Sequence, residues 1–167
     1  MSEQEIQNRV ILNEIGKSLN VKFLAIHPFD RCEKARNQIC WPHYTDAQAL
    51  ETYDKIVNAL QGEPVCGFIG FSNGGFFLNY LAQLKELPFP IISIGAGGLV
   101  SSTPPSNSLT LIAGKLEVVY ESARLFSETA KGSPLLVKFI EHEGGHIVPK
   151  ETLENHMRLN FLGEKSL

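Results

Sequence analysis

Apolar residues recur along the chain at two spacings, one helical and one continuous, and the change from one to the other marks out the elements. Ile6, Val10, Ile15 and Leu19 fall near one helical face, which predicts an amphipathic helix from residue 3 to about 18. Ser2 and Glu5 form a capping box at its start, and Gly16 leaves its end open. Val21 to Ile26 (VKFLAI) reads as a strand, and Pro28, Asp30 and the polar DRCEKARNQ that follow read as loop. A second helix is predicted from about Thr45 to Leu60, with Leu50, Tyr53, Val57 and Leu60 in register and Gly62 and Pro64 beyond it. Val65 to Phe71 is an unbroken apolar run, as expected of a strand buried on both faces. It breaks at Ser72-Asn73-Gly74-Gly75, and from Phe76 the residues Phe77, Leu78, Leu81 and Leu84 return to helical spacing. Further strands are predicted at Ile91 to Ile94, Leu109 to Ile112 and Leu135 to Ile140, and further helices at Tyr120 to Lys131 and Glu151 to Leu162.

Strands alternating with helices over the whole length predict an α/β fold: a predominantly parallel sheet of about five strands with helices on both faces. A length of 167 residues and a hydrophobic content of 43% suit one domain, residues 1–167, with one substantial core. In such sheets the functional residues collect at the carboxyl ends of the strands. The small residues Gly95-Ala96-Gly97-Gly98 after the strand at 91 to 94 predict close backbone approach there.

Charge narrows the partners. Fifteen Lys plus Arg against eighteen Asp plus Glu leave a net charge of −3 with no long run of either sign, so neither a nucleic-acid surface nor a polybasic membrane patch is expected. The polar start MSEQEIQNRV lacks the apolar core of a signal peptide and no stretch is long enough for a membrane span, so a cytoplasmic protein is expected. Cys32, Cys40 and Cys66 show no metal-ligand spacing. Reduced thiols are the simplest account, with Cys66 in the buried strand and a Cys32–Cys40 disulfide left open.

The candidate chemistry lies at the strand ends. Gly70-Phe71-Ser72-Asn73-Gly74 is a G-x-S-x-G pattern at a strand-to-helix turn, where a serine hydroxyl is pushed clear of the backbone. The following amides, Asn73 first and then Gly74, lie at a helix N-terminus, where an oxyanion can be held. A serine nucleophile needs a base, and the base needs a carboxylate to fix its tautomer. Asp occurs only at positions 30, 46 and 54, so an acid on the later strands must be Glu; Glu117 is best placed, Glu121 falling inside the next helix. His146, in a glycine-flanked loop, is preferred as the base over His142, which is nearer the strand. Taken singly, each is equally an ordinary loop side chain. Together they follow separate strands in the order Ser, acid, His that this architecture requires.

On these residues the chain resembles the α/β-hydrolase superfamily: GFSNGG is similar to the nucleophile elbow, AGKLEVV to the acid turn and EHEGGHIVP to the histidine loop. The GFS elbow with GGHIVP is most similar to small serine hydrolases of carboxylesterase or acyl-thioesterase type. The resemblance spans about residues 20 to 163 and implies Ser72 as nucleophile, His146 as base and then acid, and Glu117 as the orienting carboxylate. It implies a small-molecule acyl ester or thioester as substrate, with no cofactor or metal. Two departures stand out. Superfamily members carry a further N-terminal strand whose loop donates a second oxyanion amide; the candidates here are Arg9 to Leu12, with the loop after it, and His27-Pro28-Phe29. No cap domain fits between the strands at 94 and 109, so substrate selection falls to short loops. The alternative function is a catalytically weak or inactive hydrolase-like binding protein, since losing one oxyanion donor typically costs about 10² to 10³ in turnover.

Overall fold

The computed structural model describes residues 3–26, 28, 30–31, 39–41, 45–98, 100 and 104–162. Its centre is a four-stranded, wholly parallel sheet in the order β3 (Phe68–Phe71), β4 (Ile91–Ile94), β5 (Ser108–Gly114), β6 (Leu136–His142). The helices are α1 (Glu3–Leu19), α2 (Asp46–Ala59), α3 (Asn73–Leu84), α4 (Tyr120–Thr129) and α5 (Lys150–Asn160). The remaining strands, β1 (Asp30–Arg31) and β2 (Ile39–Cys40), form a small antiparallel pair in the stretch that reads as loop.

The strand sequences dictate the layering. β4 is buried at every position, and β5 from Leu109 onward, because Ile and Leu on alternate faces have helices to meet on both sides. Ile91, Leu109 and Leu111 join Ala49, Tyr53 and Ile56 of α2, Phe77 and Leu81 of α3 and Phe126 of α4 in one core. Ile92, Ile94 and Ile112, the neighbours facing the other way, join Ile15 and Leu19 of α1 with Leu153 and Met157 of α5.

Four expectations need correction. Val21 to Ile26 is not a strand, so the sheet has four strands rather than about five. Its apolar alternation is real: Val21 and Phe23 reach the α1–α5 core and Ile26 the opposite one. Alternation reports burial on two sides, however, and not ladder hydrogen bonds. The elbow strand begins at Phe68 instead of Val65 and forms the sheet edge, only partly buried. Cys66 therefore lies outside it, as an exposed free thiol. The first helix runs to Leu19, close to the expected end near 18; Gly16, which had left that end open, is buried inside it, where a Cβ would lie 2.8 Å from the Val21 carbonyl oxygen, and Asn20, at φ 52°, follows the last turn. Arg9 to Leu12 lies inside α1 and cannot be an oxyanion strand. The Ser2 cap, Cys32 and His27 fall outside the described residues. Among the described residues, no helix is long and apolar enough to cross a membrane.

Candidate active site

The strand-to-helix turn after β3 is built by close approach. A Cβ on Gly70 would stand 2.4 Å from the carbonyl oxygen of Gly74, and one on Gly75 would stand 2.8 Å from Ser93 Oγ and 2.9 Å from Ala96 Cβ. Glycine is therefore required for α3 to start directly on the end of β3 and lie against β4. Helix α3 begins at Asn73, three residues before the apolar periodicity shows, because Gly74 and Gly75 occupy its first turn. Ser72 between strand and helix has φ 53° and ψ −118°, a conformation sparsely populated by residues with a Cβ. Its own N–H donates to the Ile94 carbonyl (2.8 Å) and its carbonyl accepts from Phe76 N–H (3.0 Å), so the turn is bonded on both sides. Its hydroxyl makes no capping bond to the helix.

Glu117 and His146 arrive from the next loops along the sheet. Glu117 follows β5 in the turn before α4; its side chain is 1% exposed, while that of His146 is 40% exposed. His146 Nδ1 lies 2.9 Å from Glu117 Oε2, and Gly114 N–H donates to Oε1 at 2.9 Å. A carboxylate only accepts, so the ring proton of neutral His146 resides on Nδ1 and Nε2 keeps its lone pair. The His146 ring lies over Phe71, the residue before Ser72, with centroids 4.7 Å apart. Gly95, at φ 62°, forms the floor: a Cβ there would stand 2.8 Å from the His146 ring and 2.9 Å from Glu117 Oε2.

The two loops are fastened to each other. Lys115 N–H donates to the His142 carbonyl (2.9 Å) and Leu116 N–H to that of Gly144 (3.2 Å). Lys115 Nζ pairs with Glu141 (3.1 Å) and Glu143 (2.5 Å), which raises its pKa. Gln4 of α1 donates its side-chain amide to the His146 carbonyl.

Asn73 takes two parts. As the first residue of α3 its N–H has no intrahelical partner, and the same holds for Gly74. Its side-chain Oδ1 accepts from Trp41 N–H at 2.7 Å, joining the segment after β2 to the turn. The Trp41 indole stacks on Phe77 at 5.2 Å, and a Cβ on Gly74 would stand 3.3 Å from its Nε1. Trp41 is a site neighbour that pattern reading misses; as the single Trp of the chain it offered composition and no position. His27, the other candidate amide loop, lies outside the described residues. A depression of about 310 Å³ at the opposite, amino ends of β5 and β6, lined by Ser127, Lys131, Ser133 and Lys138, holds none of the candidate residues. Among the described residues, no group of His, Cys, Asp and Glu is arranged to hold a metal ion.

Comparison with known proteins bears on the family and the fold of the chain. The profile of the family described as "Serine hydrolase (FSH1)" matches residues 27–157. Crystal structures of two variants of Arabidopsis thaliana SOBER1 superpose with a TM-score of 0.66 each, at 13% and 14% identity. The alignments cover 93% of this chain in both cases, and 93% and 92% of the SOBER1 chains. At that identity the likeness establishes the fold. A search of curated proteins finds no match to the chain.

Proposed function

Because the chain belongs to the FSH1 serine hydrolase family, within the α/β-hydrolase superfamily, we propose that it cleaves a carboxylic ester or thioester through an acyl-enzyme intermediate on Ser72. The observation that carries this reading is the 2.9 Å bond between Glu117 and His146 Nδ1, with the His146 ring packed at a tilt against the elbow residue Phe71. That bond leaves Nε2 as the free base, and Ser72, which directly follows Phe71 in the chain, stands on a strained turn.

In the proposed reaction Ser72 Oγ attacks the substrate carbonyl carbon as its proton passes to His146 Nε2. The oxyanion of the tetrahedral intermediate is received by the Asn73 and Gly74 amides at the start of α3. Collapse expels the alcohol or thiol, which takes the proton from His146. Water, deprotonated by the same nitrogen, then releases the acid and restores Ser72. Glu117, buried and without a proton to give, stabilises the imidazolium in both halves. No step calls for a metal or a cofactor.

The test is intact mass after incubation with a fluorophosphonate, with wild type, Ser72→Ala and His146→Ala side by side. One adduct on wild type, none on Ser72→Ala and a rate reduced at least about 10³-fold in His146→Ala are expected. The same variants should lose turnover of a short p-nitrophenyl ester. An adduct of equal yield on Ser72→Ala, or no adduct on folded wild type, would overturn the assignment and favour a binding protein.

A further inference from the structure

The carboxylate of Glu117 faces a second histidine that the proposed reaction does not use. His142 ends β6, and its side chain is 10% exposed. Gly144 N–H donates to its Nδ1 at 3.1 Å, which fixes that nitrogen as the acceptor. The proton of the neutral ring is therefore on Nε2. This Nε2–H is buried and has no hydrogen-bond partner, and it lies 3.8 Å from Glu117 Oε1. A buried donor left unmade is uncommon in a native fold and calls for an account.

Resting on the reading of Glu117 and His146 as a working pair, we infer that His142 is a positioning residue: its Nε2–H is directed at Glu117 Oε1 and tempers the carboxylate's basicity, and so sets the proton affinity of His146. The two oxygens of Glu117 are then served separately. Oε2 holds His146, while Oε1 takes the Gly114 amide at 2.9 Å and faces His142. The Gly114 hydrogen bond to Oε1 and the nearby His142 N–H dipole both draw negative charge away from Oε2, which then stabilises the imidazolium less and keeps His146 easier to deprotonate. Such tuning suits a base that must give its proton up twice per turnover.

The role requires a neutral His142, since a cation there would oppose the imidazolium of His146 directly. Burial lowers the His142 pKa from its ordinary value, against the pull of Glu117 and Glu143, so the neutral ring prevails at neutral pH. The charged groups facing this corner are Glu117 from the β5–α4 turn, and Glu143 and His146 from the β6–α5 loop. Among the described residues, Lys115 stands there too, its ammonium engaged by Glu141 and Glu143.

Two substitutions separate donation from loop support. In His142→Asn the amide oxygen replaces Nδ1 as acceptor for Gly144 N–H, and no donor reaches Glu117. His142→Gln keeps an N–H at the ε position and loses the loop bond. The measurement is NMR titration of the His146 imidazole in wild type and both variants, with the His142 tautomer read from ring nitrogen shifts in wild type. His142→Asn should raise the His146 pKa by about half a unit, a roughly threefold change in proton affinity, and His142→Gln should leave it near wild type. The acid limb of kcat/KM for a p-nitrophenyl ester should move by the same amount. An Nδ1–H tautomer of His142 overturns the inference even if no variant folds. So does a shift in Gln but not Asn, an equal shift in both, or none in either. Failure of wild-type fluorophosphonate labelling alongside an intact titration effect would instead remove the hydrolase reading and leave the coupling of His142 to Glu117 standing.

Discussion

At the scale of single residues, the proposed nucleophile depends on what its neighbours lack. Ser72 keeps φ 53° because Gly70 lets the Gly74 carbonyl pass where a methyl group would lie 2.4 Å away. That obstacle is backbone and cannot rotate aside. Gly70→Ala should therefore destabilise the protein at the upper end of the overpacking range, about 3 kcal/mol, as read from urea midpoints. The same variant should label more slowly with a fluorophosphonate, since the strand and helix must part at Ser72. Gly95 makes the same argument one strand over, where a methyl group would press on both Glu117 and His146.

At the scale of elements, the loops after β3, β5 and β6 carry the candidate residues and the helices behind them hold the register. Helix α3 is closed at its carboxyl end by the buried Asn107. The Asn107 amide donates to the Ala82 carbonyl (2.7 Å) and the Lys85 carbonyl (2.9 Å), and its oxygen accepts from Leu87 N–H (2.8 Å). The Asn107 backbone carbonyl accepts from Leu136 N–H at 2.8 Å, so one residue ties α3, β5 and β6 together at the end of the sheet away from Ser72. Asn107→Ala orphans two buried backbone groups and one half-buried one, and should cost about 2–4 kcal/mol in chemical denaturation. Its effect on turnover should be small beside its effect on stability, because the elbow is at the other end of α3. By contrast, the α1–α5 ion pair of Glu14 with Lys150 is solvent-exposed and adds little; Ile15 and Leu19 hold α1 in place.

At the scale of the whole molecule, the sheet is covered on both faces, and a buried histidine outside the site has consequences for pH. His156 of α5 lies against Thr110 of β5, with Nε2 3.0 Å from Oγ1, while Asn160 donates to Nδ1 at 3.2 Å. The ring is thus neutral, with its proton on Nε2. Burial, with a smaller push from Lys138, lowers its pKa from 6.5 to about 4. Between those values the unfolded chain binds the proton and the folded chain does not. Stability therefore falls as pH drops from 6.5 towards 4, by roughly 3 kcal/mol across the window, and is flat with respect to this group above it. Urea midpoints at pH 7 and pH 4.5 should show the loss in wild type and a smaller one in His156→Gln.

The strands at 91 to 94, 109 to 112 and 135 to 140, the helices, and the order Ser72, Glu117, His146 were all legible in the sequence, because burial periodicity and turn chemistry are local properties. The G-x-S-x-G turn carried its own geometry, since Gly70 must lack a Cβ for the Gly74 carbonyl to pass. What the chain alone did not determine concerns contacts between distant segments. Whether Val21 to Ile26 pairs with the sheet depends on ladder partners, and an apolar alternation is the same with or without them. His146, in its glycine-flanked loop, could be preferred over His142 at the end of its strand, but the two atoms of Glu117 they face could not be read from the chain. Only the fold turns one towards Oε1 and the other towards Oε2 of a single buried carboxylate. Trp41 reaches Asn73 for the same reason: a hydrogen bond across 32 residues is decided by the path of the backbone, and local sequence does not encode that path.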